Sequence, residues 1–155
     1  MCGFFLYKDN KNMNKRYERD LIMGQENEIK FKKFMNSYEN IKLKKYKDKY
    51  AELDFRYQNR LLELKSRTIS HNQFPTTIVG ENKIKKARRK NNFKTEFYFL
   101  FTDGLYRWDY NEDEILCIMD AVRTDRGRYE VKPHAYISIK NLKLINNNIN
   151  SVKSI

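Results

Sequence analysis

Residues 52–67, with the sequence ELDFRYQNRLLELKSR, constrain the fold more than any other part of the chain. They have the pattern of a β-hairpin in which Gln58 and Asn59 form a two-residue turn. That turn predicts the cross-strand pairs Tyr57 with Arg60, Arg56 with Leu61, Phe55 with Leu62, and Asp54 with Glu63. Because side chains alternate along a strand, Lys65 lies on the same face as Glu63. The other face is apolar and carries Leu53, Phe55, Tyr57, Leu62 and Leu64.

The charged face of this hairpin destabilises the fold unless another group offsets the repulsion between its like charges. Asp54 and Glu63 are predicted to lie directly opposite each other, where like charges destabilise a sheet. A divalent cation between them removes that repulsion, and Mg²⁺ prefers one or two carboxylates together with waters and phosphate oxygens. A lysine beside such a cation can orient or deprotonate a water, or stabilise charge on a phosphate. These are the parts that metal-assisted phosphodiester hydrolysis requires.

Asp54, eight intervening residues and then Glu63-Leu64-Lys65 resemble the signature of the PD-(D/E)xK nuclease superfamily. That superfamily includes restriction enzymes, Holliday-junction resolvases and many phage and virus nucleases, and Leu53 stands where its name has proline. The resemblance covers roughly residues 14 to 101 and implies a restriction-endonuclease-like α/β fold, a mixed sheet flanked by helices. It implies that Asp54 and Glu63 hold Mg²⁺ or Mn²⁺, that the Leu64 carbonyl joins them, and that Lys65 positions or activates the water.

The helix expected before the hairpin offers one more carboxylate. Residues 14–38 place apolar side chains on one face at helical spacing, namely Phe31, Phe34, Met35 and Tyr38. Glu28 lies at the edge of that face. The superfamily often takes a further carboxylate from this helix, so the resemblance implies that Glu28 is an outer metal ligand or orients a metal-bound water. A solvated helix glutamate is the alternative for this residue.

Around the hairpin, the sequence predicts short elements and a basic surface. Residues 39–50 form a basic connection in which the alternation of Ile41 and Leu43 permits one short strand. A loop follows the hairpin, and Gln73 within it weakly matches a polar residue that relatives use. Residues 81–92 predict a short helix at a place where the superfamily commonly contacts the phosphate backbone, here through Lys83, Lys85, Lys86, Arg88, Arg89 and Lys90. A solvated charge run or a localisation signal is the alternative.

The C-terminal third predicts antiparallel strands that extend the sheet, over about residues 102–140. FYFLF at 97–101 has no polar position and predicts a strand buried on both faces. Asp103 and Gly104 predict the turn into 105–110, where an aromatic stripe favours core packing over base stacking. Two more strands are expected at 115–122 and 129–139, the second at a sheet edge because it contains Pro133. The arginine-rich turn between them could contact a phosphate, and 144–155 predict a flexible tail.

Composition bounds the partners and the compartment. The 155 residues fit one domain, and a net charge of +12 with a pI of about 9.6 directs the chain towards polyanions, chiefly nucleic acid. This attraction does not separate DNA from RNA. Cys2 and Cys117 make neither a disulfide framework nor a zinc cluster, and Cys117 is expected to be buried. A reduced, intracellular compartment follows, the cytoplasm or nucleus of a host cell. The apolar start MCGFFLY is too short for a signal peptide or membrane span and predicts a strand or packed arm.

The leading hypothesis is therefore a Mg²⁺-dependent DNA endonuclease, with three alternatives. A Holliday-junction resolvase would use the same residues in a homodimer, although no dimer surface is evident. A non-catalytic nucleic-acid-binding protein would use the basic helix, and the Asp54 group would then be a surface ion-pair cluster worth about 0–1 kcal/mol. A structural protein of a phage or virus rests on size and composition only. His71 and His134 are too few and too isolated for a histidine-based nuclease.

Overall fold

The computed structural model describes residues 10–46, 53–123 and 129–149, and it describes side chains from residue 15 onward except that of Arg123. The predicted N-terminal arm and the arginine-rich turn lie outside these ranges. The helices are α1 (Asn10–Tyr38) and α2 (Glu81–Arg89). The strands are β1 (Lys44–Lys45), β2 (Phe55–Tyr57), β3 (Arg60–Ser66), β4 (Thr76–Gly80), β5 (Lys94–Phe101), β6 (Gly104–Asp109), β7 (Ile115–Arg123), β8 (Glu130–Ser138) and β9 (Lys143–Asn146).

These strands form two sheets. The larger sheet has the order β1-β2-β3-β5-β6-β9, and β3 and β5 are its parallel pair. A parallel pair needs a crossover connection, and the chain from β3 to β5 supplies it with β4 and α2. The smaller sheet, in the order β4-β8-β7, is antiparallel throughout. The predicted fold class, an α/β fold with a mixed sheet flanked by helices, is confirmed.

The hairpin has the register that the sequence predicts. Tyr57 pairs with Arg60, and the next two pairs follow in step. Gln58, the first turn residue, has φ 51°, in the left-handed region. The strand before the aspartate also exists, although it comprises only the two residues of β1. The prediction that Leu53 shares the apolar face of Phe55 is wrong. β2 begins at Phe55, and a bend releases Leu53 from the strand alternation, so Leu53 packs on the other face of the sheet from Phe55.

The larger sheet has an apolar cluster on each face. The cluster on the α1 face contains Phe31, Met35, Leu43, Phe55, Leu62, Leu64, Tyr98, Leu100, Leu105 and Ile149. The cluster on the α2 face contains Leu53, Leu61, Val79, Ile84, Phe97, Phe99, Phe101, Trp108, Ala135 and Ile137. Alternating residues of β5 enter both clusters, which confirms a strand buried on both faces. Trp108 is 1% exposed within the second cluster, so the aromatic stripe of β6 is core, as expected.

Three expectations for the C-terminal third are wrong. β7 and β8 do not extend the larger sheet but pair with β4 in the smaller one, over the α2 face. Pro133 lies in the central strand, and it is tolerated because β4 ends opposite His134, leaving β8 paired there only with β7. Cys117 is exposed, on β7 at the outer edge of the smaller sheet.

The predicted tail is also partly ordered into the fold. Residues 143–146 form β9 on the outer side of β6, and Ile149 is fully buried in the cluster on the α1 face. The expected turn at Asp103 and Gly104 is displaced by one residue, because Phe101 pairs with Gly104 and the turn is formed by Thr102 and Asp103. None of these changes disturbs the α1–hairpin–α2–β5 arrangement that holds the predicted site.

Candidate active site

The candidate site lies on the α2 face of β3. Alternation along β3 sends Leu62 and Leu64 into the cluster beneath α1 and sends Leu61, Glu63 and Lys65 to the other side. That side is covered by α2 and the smaller sheet, so it is an interior surface rather than a solvated one. Glu63 is accordingly 2% exposed, while Lys65 at the end of the strand is 25% exposed.

Two lysines from different elements contact one oxygen of Glu63. Lys65 Nζ lies 2.8 Å from Glu63 Oε1, and Lys83 Nζ, from the first turn of α2, lies 3.3 Å from the same atom. The second carboxylate oxygen, Oε2, is buried and has no hydrogen-bond partner among the residues that the structure describes. Leaving a buried charged oxygen unpaired costs at least about 1–3 kcal/mol. Glu63 therefore presents an oxygen that a cation or a donor from a ligand would satisfy.

Asp54 stands at the bend before β2, beside Glu63. Its Oδ2 accepts a hydrogen bond from the Leu64 backbone N–H at 2.9 Å. Burial, and then the negative charge of Glu63, raise the pKa of Asp54 to about 7, against the opposing effects of that hydrogen bond and of Lys65. A strand residue points its N–H and C=O to the same side, so the Leu64 carbonyl faces the edge at which Asp54 stands. The Asp54–Glu63 pair predicted from the hairpin is thus a close, destabilising one.

Glu28 approaches the site from α1. It forms an ion pair with Lys45 of β1, and its charge also contributes to the raised pKa of Asp54. It shares a cleft of about 360 Å³ with Lys32, Lys33, Lys45 and other side chains of α1 and β2. One residue before it, Asn27 donates a hydrogen bond to Ser66 Oγ at 3.0 Å, which ties this part of α1 to the end of β3. Glu28 therefore lies within electrostatic reach of Asp54, paired with a lysine that sequence reasoning had not selected.

The residues present suit a divalent cation whose remaining ligands would come from water and from the substrate. In residues 10–46, 53–123 and 129–149, no group of three or more His, Cys, Asp or Glu side chains converges to hold a metal by itself. Mg²⁺ needs no such cage, because it is usually held by one or two carboxylates with waters and phosphate oxygens. The unpaired Glu63 Oε2 and the destabilised Asp54 carboxylate are the donors that such an ion would satisfy.

The six basic residues predicted on α2 do not form one uniform surface. Lys83 is directed to Glu63, Lys85 pairs with Glu81 of the same helix, and Arg88 pairs with Glu112. Lys90 lies 5.9 Å from the centre of the Phe93 ring. Lys86 is half-buried and Arg89 is exposed. Gln73 is exposed in the loop after β3, where its N–H donates to Ser70 O at 3.3 Å.

Sequence reasoning missed that Lys83 belongs to the Asp54–Glu63–Lys65 group. A charge-rich helix gives no local signal that distinguishes an inward lysine from its neighbours. The spacing of Lys83 beside the apolar Ile84 and Ala87, which are buried, was the one available indication of its inward position. Lys45 was missed for the same reason, because it is one of three lysines at 42–46, a run that also contains Leu43 and Tyr46.

In chain order, the protein has a helix, an antiparallel hairpin with Asp54 and Glu63-x-Lys65, a second helix and a strand parallel to β3. This arrangement defines a protein of the PD-(D/E)xK nuclease class, with a restriction-endonuclease-like fold. The family model described as "Phage putative PDDEXK endonuclease" matches residues 12–145, which is most of the chain. The chain belongs to this family. Searches of curated proteins and of solved structures returned no match.

Membership makes nucleic acid the substrate class, in keeping with the charge of +12. No helix within the described ranges is long and apolar enough to cross a membrane.

Proposed function

We propose that this protein is a DNA endonuclease that requires Mg²⁺ or Mn²⁺ and hydrolyses phosphodiester bonds at the Asp54–Glu63–Lys65 group. One observation carries the proposal: Glu63 is 2% exposed, with two lysines on one carboxylate oxygen and no described partner for the other. A surface ion-pair cluster, as a purely binding protein would have, is solvated and loosely arranged. A buried, incompletely satisfied carboxylate beside a second one with a raised pKa is typical of a functional site.

The role of each residue follows from its contacts. Asp54 and Glu63 would hold the cation, with the Leu64 carbonyl directed to the same edge, and Glu28 would act from outside this pair. When bound, the cation polarises the phosphate and lowers the pKa of a coordinated water. Lys65, at the exposed end of the group, would orient the attacking water with its ammonium hydrogens. The oxygen of that water would form the new bond to phosphorus and release one proton to solvent, while the bond to one sugar oxygen breaks and the leaving oxygen takes up one proton from solvent.

The cleft beside Glu28 supports entry of the substrate on the α1 side. Its lysines, Lys32, Lys33 and Lys45, would neutralise phosphates as the strand approaches. Lys86 and Arg89 of α2, with Lys90 directly after that helix, would do the same on the other side. Contacts of this kind carry no sequence information, so weak sequence preference is expected.

The test is a cleavage assay with supercoiled plasmid, single-stranded DNA, a four-way junction and RNA, each with Mg²⁺, Mn²⁺ or EDTA. Wild-type protein is compared with Asp54→Ala and Lys65→Ala, and with the exposed control Asp113→Ala. Metal-dependent cutting that both site variants lose and the control keeps is the expected result. Asp54→Ala should also bind DNA at least as tightly as wild type, because a negative charge near the phosphate is removed.

Three outcomes would change the assignment. Full activity in Asp54→Ala would refute the site. If no protein cuts any substrate, but all bind nucleic acid tightly and with strong salt dependence, the protein is a binding module. Strong preference for the four-way junction by a dimer would instead select the resolvase alternative.

A further inference from the structure

We propose that Lys83 is a second catalytic lysine beside Lys65. Its ammonium group contacts the phosphate that is cut, not a phosphate elsewhere along the DNA. This inference rests on the proposed nuclease function. The geometry points to it because Lys83 leaves α2 towards β3 and reaches the oxygen of Glu63 that Lys65 already contacts. Both ammonium groups contact Glu63 Oε1, so they are at most about 6 Å apart. The oxygens of a single phosphate group can bridge that separation.

Lys83 is held in place by its helix. Ile84, the next residue, is fully buried in the cluster on the α2 face, and Ala87 one turn later is 2% exposed. The side chain of Lys83 is only 15% exposed, whereas that of Lys85, two residues further along, is 59% exposed. A fixed donor that does not reorganise during reaction is what stabilises charge developing in a transition state. A lysine that binds phosphates along the DNA backbone would need to be as exposed as Lys85.

The charges of the group with a bound cation call for an anionic substrate. Lys65 and Lys83 together balance Asp54 and Glu63, so a divalent cation held there leaves an excess of positive charge. Two carboxylates, two ammonium groups and one divalent cation give a net charge of +2. A phosphodiester under attack by hydroxide carries −2. Lys83 therefore supplies the charge that makes the site complementary to the reacting phosphate rather than to the metal alone.

The experiment compares Lys83→Gln with Lys83→Arg and with the control Lys143→Gln, an exposed lysine on β9 that has no part in the site or in the predicted nucleic-acid surface. Single-turnover cleavage with Mg²⁺ should be about 10²-fold slower in Lys83→Gln, the usual loss of one such donor. Lys83→Arg, which keeps the charge with a different geometry, should lie between Lys83→Gln and wild type. Lys143→Gln should cut at about the wild-type rate.

Readouts other than cleavage separate a catalytic role from a structural one. Binding of Mn²⁺ to Lys83→Gln, measured by calorimetry without DNA, should be as tight as in wild type or tighter, because a competing cation has left Glu63. DNA affinity with Ca²⁺ in place of Mg²⁺ should change less than about three-fold, since one phosphate contact among many is lost.

Each outcome decides the proposal. Wild-type cleavage that is lost in Lys65→Ala but kept in Lys83→Gln would overturn the role of Lys83 and leave the nuclease function standing. Loss of rate that merely parallels loss of Mn²⁺ binding or of folding stability would make Lys83 structural. If Lys83→Gln does not fold, Lys83→Arg decides: native stability with a reduced rate supports the proposal, and native stability with the full rate overturns it. Absence of cleavage by wild type would remove the nuclease function and this inference with it.

Discussion

Replacing Asp54 with Asn should stabilise the metal-free protein while it abolishes cleavage. Burial and the charge of Glu63 raise the pKa of Asp54 from 3.8 to about 7. Between these two values the folded carboxyl keeps its proton while the unfolded one has lost it. Stability therefore falls as the pH rises through this window, and the loss is complete above pH 7. Asn does not titrate, and its side-chain oxygen can still accept the hydrogen bond from the Leu64 N–H.

The size of the effect follows from the two pKa values. At 1.36 kcal/mol per pH unit, the ionised Asp54 costs about 4 kcal/mol at pH 8. At pH 5 the same linkage gives a cost of roughly 1.5–2 kcal/mol, because the unfolded carboxyl is already mostly ionised there. The stability advantage of Asp54→Asn over wild type should therefore grow by about 2–3 kcal/mol between pH 5 and pH 8.

Urea unfolding in EDTA at pH 5, 6, 7 and 8 measures this difference, with the exposed Asp113→Asn as the control that should show no such trend. Addition of Mg²⁺ at pH 8 should stabilise wild type by mass action and leave Asp54→Asn nearly unchanged. If the advantage of the variant is the same at pH 5 and pH 8 within about 0.5 kcal/mol, Asp54 titrates as an ordinary surface aspartate. The argument that the two carboxylates are held together at a cost would then be refuted.

Three further changes have definite expected results. Glu63→Gln should lose Mg²⁺ uptake in calorimetry, because it removes the charge of the buried ligand; unchanged affinity would place the metal elsewhere. Arg60→Met should lower the free energy of unfolding by about 3 kcal/mol in urea, since it removes the hydrogen bonds that Arg60 donates to the fully buried Glu96 at 2.6 and 2.8 Å. Glu96 would keep the Tyr98 hydroxyl and the more distant Arg107, at 4.0 Å, and a cost below about 1 kcal/mol would contradict this. Gly104→Ala should lower the free energy of unfolding by roughly 1–3 kcal/mol in the same assay. The reason is that φ is +155° and a Cβ would stand 2.9 Å from Asn146 O. Metal-dependent cutting by this variant at low temperature should match wild type.

The sequence by itself determined the hairpin and the shared face of Glu63 and Lys65. Both are local properties: a two-residue turn sets the register, and the alternation of a strand sets the face of every side chain. The long helix α1 and the doubly buried β5 were predictable for the same reason, since apolar spacing is read within one element. Glu28 was selected from its place beside Phe31, which is in the core.

Only the tertiary structure decided what covers that face and which distant residues join it. Lys83 reaches Glu63 because the chain leaves the larger sheet after β3, forms β4 in the smaller sheet and returns through α2, a path that no periodicity encodes. The same choice of strand partners exposes Cys117 and places Pro133 in a central strand. Strand partners are selected by long-range packing of two apolar faces. A sequence pattern therefore fixes which way Glu63 points, but only the assembled layers make it a buried carboxylate with two lysines.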